Sequence, residues 1–540
     1  MGKTNINAKL VWFAWCALAT IVFALVIAIR IRLLGIPLER DEGEYAYAGQ
    51  LILQGIPPYK LAYNMKFPGT YAAYALIMSI FGQTIDAIHL GLLLVNVATI
   101  AMIFLIGRRL IDSTAAIAAA ACYAVLSVSP SVLGLAAHAT NFVMLPVLAG
   151  TLLILNIRES GQHAFGRLCG SGVLFGIAVL MKQPALFFIP FGAIYIIWKD
   201  AHRRLLFKKV LLRILTFGIG AVVPMAITCL ILWRVGVFDK FWFWTINYAW
   251  QYGTLLSLSQ APRIFFDSAN EVIGPSWGIW TLAGIGAVAG LWDRRMRASA
   301  KFLIGFLLFS VLALCMGFYF RYHYFIFILP AVSLLAGSAI SEFSHLLTGR
   351  MILLRFVPLL VFAALLGMPI VSERKFFFEA FPVDACRMIY PESPFPESIR
   401  IADYIREHTG PDDTIAVLGS EPQIYFYSKR HSATGYIYTY GLMEPQKYAQ
   451  QMQGEMIREI EGARPKYLVS VLMNDSWLYR PQSDPRFFTW ANQYTAENYN
   501  AAGFVNIRPT ETDYFFGDVP ASVQSLKNYI LIYGRKPLSR

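Results

Sequence analysis

The chain has 540 residues, 57% of them hydrophobic and only 15% charged, and its mean hydropathy is +0.52. That balance excludes an ordinary soluble globule and calls for a polytopic α-helical membrane protein. The net charge of +13 does not point to nucleic acid, because residues 373–540 hold 18 Lys and Arg against 20 Asp and Glu, which leaves the basic excess on the apolar part.

The first apolar run, Leu10 to Ile31, is long enough to cross a bilayer. Lys3 and Lys9 precede it and no small-residue cleavage site follows a short core, so it reads as an uncleaved anchor and not a signal peptide. Further runs fall near 86–106, 114–128, 141–157, 167–181, 184–198, 210–234, 276–291, 302–318, 324–341 and 351–371, about eleven spans in all. The apolar stretch 71–82 is too short to span and is expected as a re-entrant or interfacial helix. With a cytoplasmic N-terminus, alternate loops carry Arg108/Arg109, Arg158/Arg167, Lys199/Arg203/Arg204/Lys208/Lys209, Arg294/Arg295/Arg297/Lys301 and Arg350/Arg355. The positive-inside rule selects that orientation, and an odd number of spans puts the C-terminus outside.

After Val371 charges become frequent. Residues 397–408, 444–462 and 485–500 read as helices, and "DDTIAVLG", "PKYLVSVL" and "NYILIYGRK" as strands. The alternation predicts an extracytoplasmic α/β domain over 373–540, beside a membrane domain over 1–372 whose first outer loop spans 32–84. No Walker or GxGxxG pattern follows these strands. Five of the six cysteines sit in or near apolar runs, Cys386 stands alone outside, and no CxxC occurs, so neither a disulfide framework nor a thiolate metal site is expected.

The chemistry is expected in the outer loops. "RDEGEYAYAGQLILQGIPPYKLAYNMKFPG" places Glu39, Asp41, Glu42 and Glu44 just past the first span. A helix is predicted from Asp41/Glu42 to the stop at Gly55-Ile56-Pro57-Pro58. In a purely structural reading Asp41 caps it, Glu42 and Glu44 favour its positive end, and Tyr45, Tyr47 and Tyr59 form an interfacial belt. Lys66, however, returns within one short loop to the same face. Carboxylates beside an ammonium at a membrane boundary suit a reaction on a lipid-linked anion: an acid takes a proton from an acceptor hydroxyl and a cation holds the leaving phosphate. Two other outer segments add cations. "AVLMKQPALFF" brings Lys182, which would otherwise snorkel, and "GFYFRYHYFIFILP" brings Arg321 and His323, which would otherwise form an aromatic belt with a stacked Arg. "FWFWTINYAW" (241–250) reads as an interfacial amphipathic helix.

An Asp-Glu pair after the first span, a G-x-P-P-Y loop, a K-x-P before the next apolar stretch, "KQP" and "RYHYF…LP" together resemble the GT-C superfamily of membrane glycosyltransferases. The nearer resemblance is to the bacterial protein-O-mannosyltransferase-like and aminoarabinose-transferase-like branch. It implies a polyprenyl-phosphate-linked sugar as donor and a glycan, lipid or protein as acceptor. Transfer would take place on the outer face of what would be a bacterial inner membrane. It also implies Asp41 as general base, Glu42 in support, and Lys66 on the donor phosphate, with Lys182, Arg321 and His323 as further phosphate ligands. Tyr59 stands where an acceptor would be met; His138 and Asn141 of "GLAAHATNF", where relatives often carry an acid, either contact the acceptor or serve as a satisfied His and a helix-capping Asn, the structural role being the more expected. Met65 replaces the acid that aminoarabinose-type relatives carry before the loop Lys, which leaves the use of a divalent cation open. The rival class is a polytopic transporter or lipid flippase with an outer accessory domain. Transporters tend to carry mid-membrane ionisable residues and paired repeats, whereas here the ionisable residues cluster at span ends. Reporter fusions test the orientation: residues 200–209 should report from the cytoplasm and the segment after 373 from outside. A cytoplasmic C-terminus would remove the shared reaction face.

Overall fold

The computed structural model describes residues 2–157, 163–293, 296–508, 511–517, 519 and 527–537. Arg158, Arg294 and Arg295, three of the residues used to orient the spans, lie outside them. The chain divides into two compact units: one comprises residues 1–34, 89–229 and 256–380, the other 35–88, 230–255 and 381–540.

Eight helices among the described residues are long and apolar enough to cross a membrane: Lys9–Arg32, Ile85–Leu110, Ala164–Met181, Gln183–His202, Phe207–Arg234, Ala261–Trp292, Arg297–Leu314 and Ile352–Ser372. The other three expected spans are helices with a different emphasis. Ser113–Leu126 has 14 residues, about 21 Å at 1.5 Å per residue against a hydrocarbon core of about 30 Å. It is buried from Ala115 to Leu126 and packs on Leu329–Leu346, so its apolar character serves helix packing. Small alanine side chains let such helices approach closely. Ala139–Leu155 has 17 residues and carries Pro146. Leu329–Leu346 has 18, but Ser333, Ser338, Ser341, Ser344, Glu342 and His345 dilute its apolar content.

The second unit is built on a six-stranded mixed sheet of order β2-β1-β3-β6-β4-β5, with β1 Thr414–Leu418, β2 His431–Ser432, β3 Tyr467–Leu472, β4 Tyr499–Ile507, β5 Thr512–Phe516 and β6 Tyr529–Arg535. β1 runs parallel to β2 and β3, and the remaining pairs are antiparallel. β1 and β3 are nearly continuous buried apolar runs, as expected of strands covered on both faces. Helices Phe395–Glu407, Ala449–Ala463 and Arg486–Asn498 stand where the sequence predicts them. β4 and β5 were not legible: Ala501, Ala502 and Gly503 interrupt the alternation, and a register shift between Ala501 and Gly503 breaks the period of two.

The same unit takes in the helix Arg40–Leu53, paired with Gly69–Phe81, the 13-residue apolar helix expected at 71–82. Residues 238–253 also join it, in three short turns that include a π-helix at Phe243–Tyr248. Trp244 and Tyr248 enter a core with Tyr63, Tyr436, Met452 and Ile460, while Trp242 and Trp250 stay exposed. Half of the expected amphipathic face is therefore buried in protein.

Helix Arg40–Leu53 seats against helix Gln423–Ser428 through Gly43. A Cβ there would lie 2.6 Å from the Gln423 backbone nitrogen and 2.9 Å from its Cα. Gly43→Ala gains about 1 kcal/mol of helix propensity, but overpacking against backbone costs about 1–3 kcal/mol. A net loss of stability is expected in thermal unfolding of the full chain; a stabilised variant would mean that this seam is loose.

Candidate active site

The helix Arg40–Leu53 starts on Glu39, not on Asp41. Glu39 Oε1 accepts the Glu42 N–H at 2.9 Å, and Glu42 Oε2 accepts the Glu39 N–H at 3.3 Å, a reciprocal capping box. The expectation that Asp41 caps is thereby corrected: the E-x-x-E spacing puts the box one turn apart and turns Asp41 to another side of the helix. Burial, with the neighbouring Asp41 and Glu42 charges, pushes the Glu39 carboxyl well above the usual range.

Asp41 and Glu44, three residues apart, share one helix face, and Lys66 bridges them. Lys66 Nζ donates to Asp41 Oδ1 at 2.7 Å and to Glu44 Oε2 at 2.7 Å. The Glu44 side chain is 0% exposed, while those of Asp41 and Lys66 are 24% and 20% exposed. Glu44 also accepts from Asn64 Nδ2 at 2.8 Å and from the Tyr71 hydroxyl. Burial raises the Glu44 carboxyl, and Lys66 opposes that shift. For Lys66 burial alone would lower the ammonium, but Asp41 and Glu44 outweigh it and hold it above the ordinary lysine value. The ammonium lies 4.7 Å from the Tyr45 ring centroid and 5.2 Å from that of Tyr438.

The loop that returns Lys66 is held by Tyr59, which sits at φ 66° and donates its hydroxyl to the Lys66 carbonyl at 2.7 Å. Tyr59 is 1% exposed, so it shapes the loop. Tyr45 and Tyr47 are buried as well, against the expectation of an interfacial belt. Tyr45 packs on Tyr71 and Tyr74; Tyr47 packs on Tyr425 and accepts the Ser432 N–H. The belt reading failed because sequence alone does not reveal the protein surface that covers the helix.

The other predicted residues belong to the first unit, where three distant segments converge. His138, at the start of Ala139–Leu155, stacks on His323 with ring centroids 3.9 Å apart and planes at 12°. Tyr324 follows His323 and takes Lys182 Nζ over its ring at 4.0 Å, so this Lys meets protein instead of snorkelling. Asn141 Nδ2 donates to the Ala136 carbonyl at 3.2 Å and braces the helix start. Arg321 is exposed and lies over Tyr319 at 5.7 Å.

Glu44, Asn64, Tyr71 and Tyr438 were not among the predicted site residues. The i,i+3 spacing of Asp41 and Glu44 was a readable signal; the tyrosines gave none. Replacing Glu44 by Leu leaves Asn64 and the Tyr71 hydroxyl without their acceptor and breaks one arm of the ion pair. Loss of about 3–5 kcal/mol is expected, read as a large drop in melting temperature of the detergent-solubilised chain. An unchanged melting temperature would mean that this cluster is not an energetic unit.

Residues 66–231 match the family described as dolichyl-phosphate-mannose-protein mannosyltransferase. No curated protein matches the chain in sequence. Among solved structures, ArnT from Cupriavidus metallidurans bound to undecaprenyl phosphate superposes with a TM-score of 0.56 at 14% identity, over 96% of this chain and 97% of that one. Its apo form gives 0.58 at 14% identity, over 95% and 97%. The oligosaccharyltransferase of Archaeoglobus fulgidus in the apo form gives 0.53 at 13% identity, over 95% of this chain and 75% of that one. The chain shares the fold of ArnT and of the archaeal oligosaccharyltransferase.

Proposed function

We propose that the protein transfers a sugar from a polyprenyl-phosphate-linked donor to an envelope glycan, lipid or protein, with inversion at the anomeric carbon. In this reading it is an integral protein of a bacterial inner membrane with its N-terminus in the cytoplasm. Residues 1–372 form the membrane domain and 373–540 an extracytoplasmic domain. The fold and the family match support sugar transfer from a lipid carrier. The observation that carries the mechanism is the Asp41–Lys66–Glu44 cluster. A partly exposed carboxylate is held against a cation whose second partner is fully buried.

Asp41 is the base. It polarises an acceptor hydroxyl and takes its proton as the oxygen attacks the anomeric carbon; the sugar–phosphate bond breaks and the polyprenyl phosphate leaves. An ammonium has three N–H groups, and Lys66 spends two on Asp41 and Glu44, which leaves one for a phosphate oxygen. Lys66 can therefore bind the leaving group without abandoning its acids. A retaining route would need two carboxylates flanking the sugar about 5–5.5 Å apart. Glu44 lies near Asp41, but it is sealed and saturated by Lys66, Asn64 and Tyr71, and Glu42 serves the cap. Lys182 and His323 form a second polar group suited to phosphate, with Arg321 exposed nearby in sequence; His138 and Asn141 suit an acceptor.

Asp41→Asn keeps the shape and loses the base. Because Glu39 does the capping, this variant should fold and insert normally, with transfer reduced at least about a hundredfold. Glu42→Gln keeps an acceptor for the Glu39 N–H and should be mild. The assay is mass analysis of membrane lipids in cells lacking the native copy, where the unused polyprenyl-phosphate sugar accumulates. Normal turnover by Asp41→Asn would return the outer acids to a solvating role and favour the transporter reading.

A further inference from the structure

Asp41 Oδ1 accepts a second strong hydrogen bond. Tyr438 Oη donates to it at 2.7 Å from a position 397 residues away in sequence. Tyr438 lies on the segment 431–440, which leaves β2 and runs along the first outer loop. We infer that Tyr438 is a positioning residue for Asp41, and that segment 431–440 is the strap by which the C-terminal part of this unit completes the site. The inference rests on the reading of Asp41 as base.

The strap is fixed to the loop at successive points. The Ser432 N–H donates to Tyr47 Oη at 2.8 Å, and the Tyr63 N–H donates to the Gly435 carbonyl at 2.6 Å. Between them, Thr434 Oγ1 and the Gly435 N–H both donate to Glu459 Oε2, at 2.6 and 3.0 Å. Just past Tyr438, the Thr439 N–H donates to Ser420 Oγ at 3.0 Å and Thr439 Oγ1 to the Ser476 carbonyl at 2.9 Å. Tyr438 is thus held from both sides. The contact at Gly435 is too close for any other residue: the Tyr63 ring lies 2.3–2.4 Å from where a Cβ would stand.

Two donors on one oxygen do what one cannot. Lys66 and Tyr438 converge on the same carboxylate oxygen, and two donors restrict the rotation of the carboxyl plane more than either one does. A base held in this way meets the acceptor proton without first being ordered. Burial and the Asp41 and Glu44 charges hold the Tyr438 hydroxyl well above its ordinary pKa, so it remains a donor throughout the working range.

The test is a double-mutant cycle on the full chain, assayed as the initial rate of donor loss in membranes from host cells lacking the protein. Each variant is expressed in these cells, and the wild-type chain sets the reference rate. Tyr438→Phe should slow transfer about tenfold to a hundredfold with little change in melting temperature. In the Asp41→Asn background the same change should cost less than about twofold, because the group it positions is gone. Gly435→Ala, remote from the reacting atoms, should reproduce the Tyr438→Phe defect by lifting the strap off Tyr63. A normal rate for Tyr438→Phe beside an inactive Asp41→Asn would overturn this inference alone. So would equal losses in both backgrounds, or a fully active Gly435→Ala. A fully active Asp41→Asn would overturn the base assignment, and the strap's role with it.

Discussion

One ammonium holds the candidate site together. Asp41 and Glu44 sit a single helical turn apart, one partly exposed and the other sealed, and their charges repel each other without a cation between them. Each arm of a Lys66 bridge is worth about 4 kcal/mol of gross attraction at an effective dielectric of 20, against a desolvation penalty of several kcal/mol per buried ion. The balance closes only because Asn64 and Tyr71 satisfy the remaining lone pairs of Glu44. Around this charge the protein wraps an aromatic shell of Tyr45, Tyr59, Tyr71 and Tyr438, whose ring faces and hydroxyls all serve the cluster.

Legibility in the sequence followed the range of the interactions. The apolar runs marked the membrane part because each is a local property of about twenty residues. The acid-rich turn and the return of Lys66 were visible because the loop is short, and the helix stop at Gly55-Ile56-Pro57-Pro58 was read from turn chemistry. The N-cap lies two residues before the Asp41 expected from sequence: Asp41 is the better capping residue by type, yet the E-x-x-E pair of Glu39 and Glu42 satisfies two backbone donors where Asp41 would satisfy one. Ser113–Leu126 is a 14-residue helix where the sequence predicts a longer span, and burial in protein and burial in lipid select the same side chains. Tyr438 could not be found at all, since nothing near it in sequence signals an acid 397 residues away.

The low identity to ArnT and to the archaeal oligosaccharyltransferase, with overlap along nearly the whole chain, has a physical reading. A membrane bundle constrains residue class more than identity, since many apolar side chains fill the same volume. The acid-rich turn is bound by specific hydrogen bonds and ion pairs instead. Each member of the Asp41–Lys66–Glu44 cluster is fixed by two or more partners, so a replacement that removes its hydrogen-bonding group strands the others.

The second unit is sewn from three stretches, 35–88, 230–255 and 381–540, and this bears on biogenesis. During synthesis the acid helix emerges early, while the strap that meets it is made several hundred residues later. At about 5–20 residues per second that interval is roughly 20–80 s. Throughout it the cluster has only its local members, Asp41, Glu44, Asn64, Lys66 and Tyr71, without the Tyr438 contact. The hydrogen bonds and ion pairs among Asp41, Glu44, Asn64, Lys66 and Tyr71 all lie within residues 41–71, so this cluster can assemble before the strap exists.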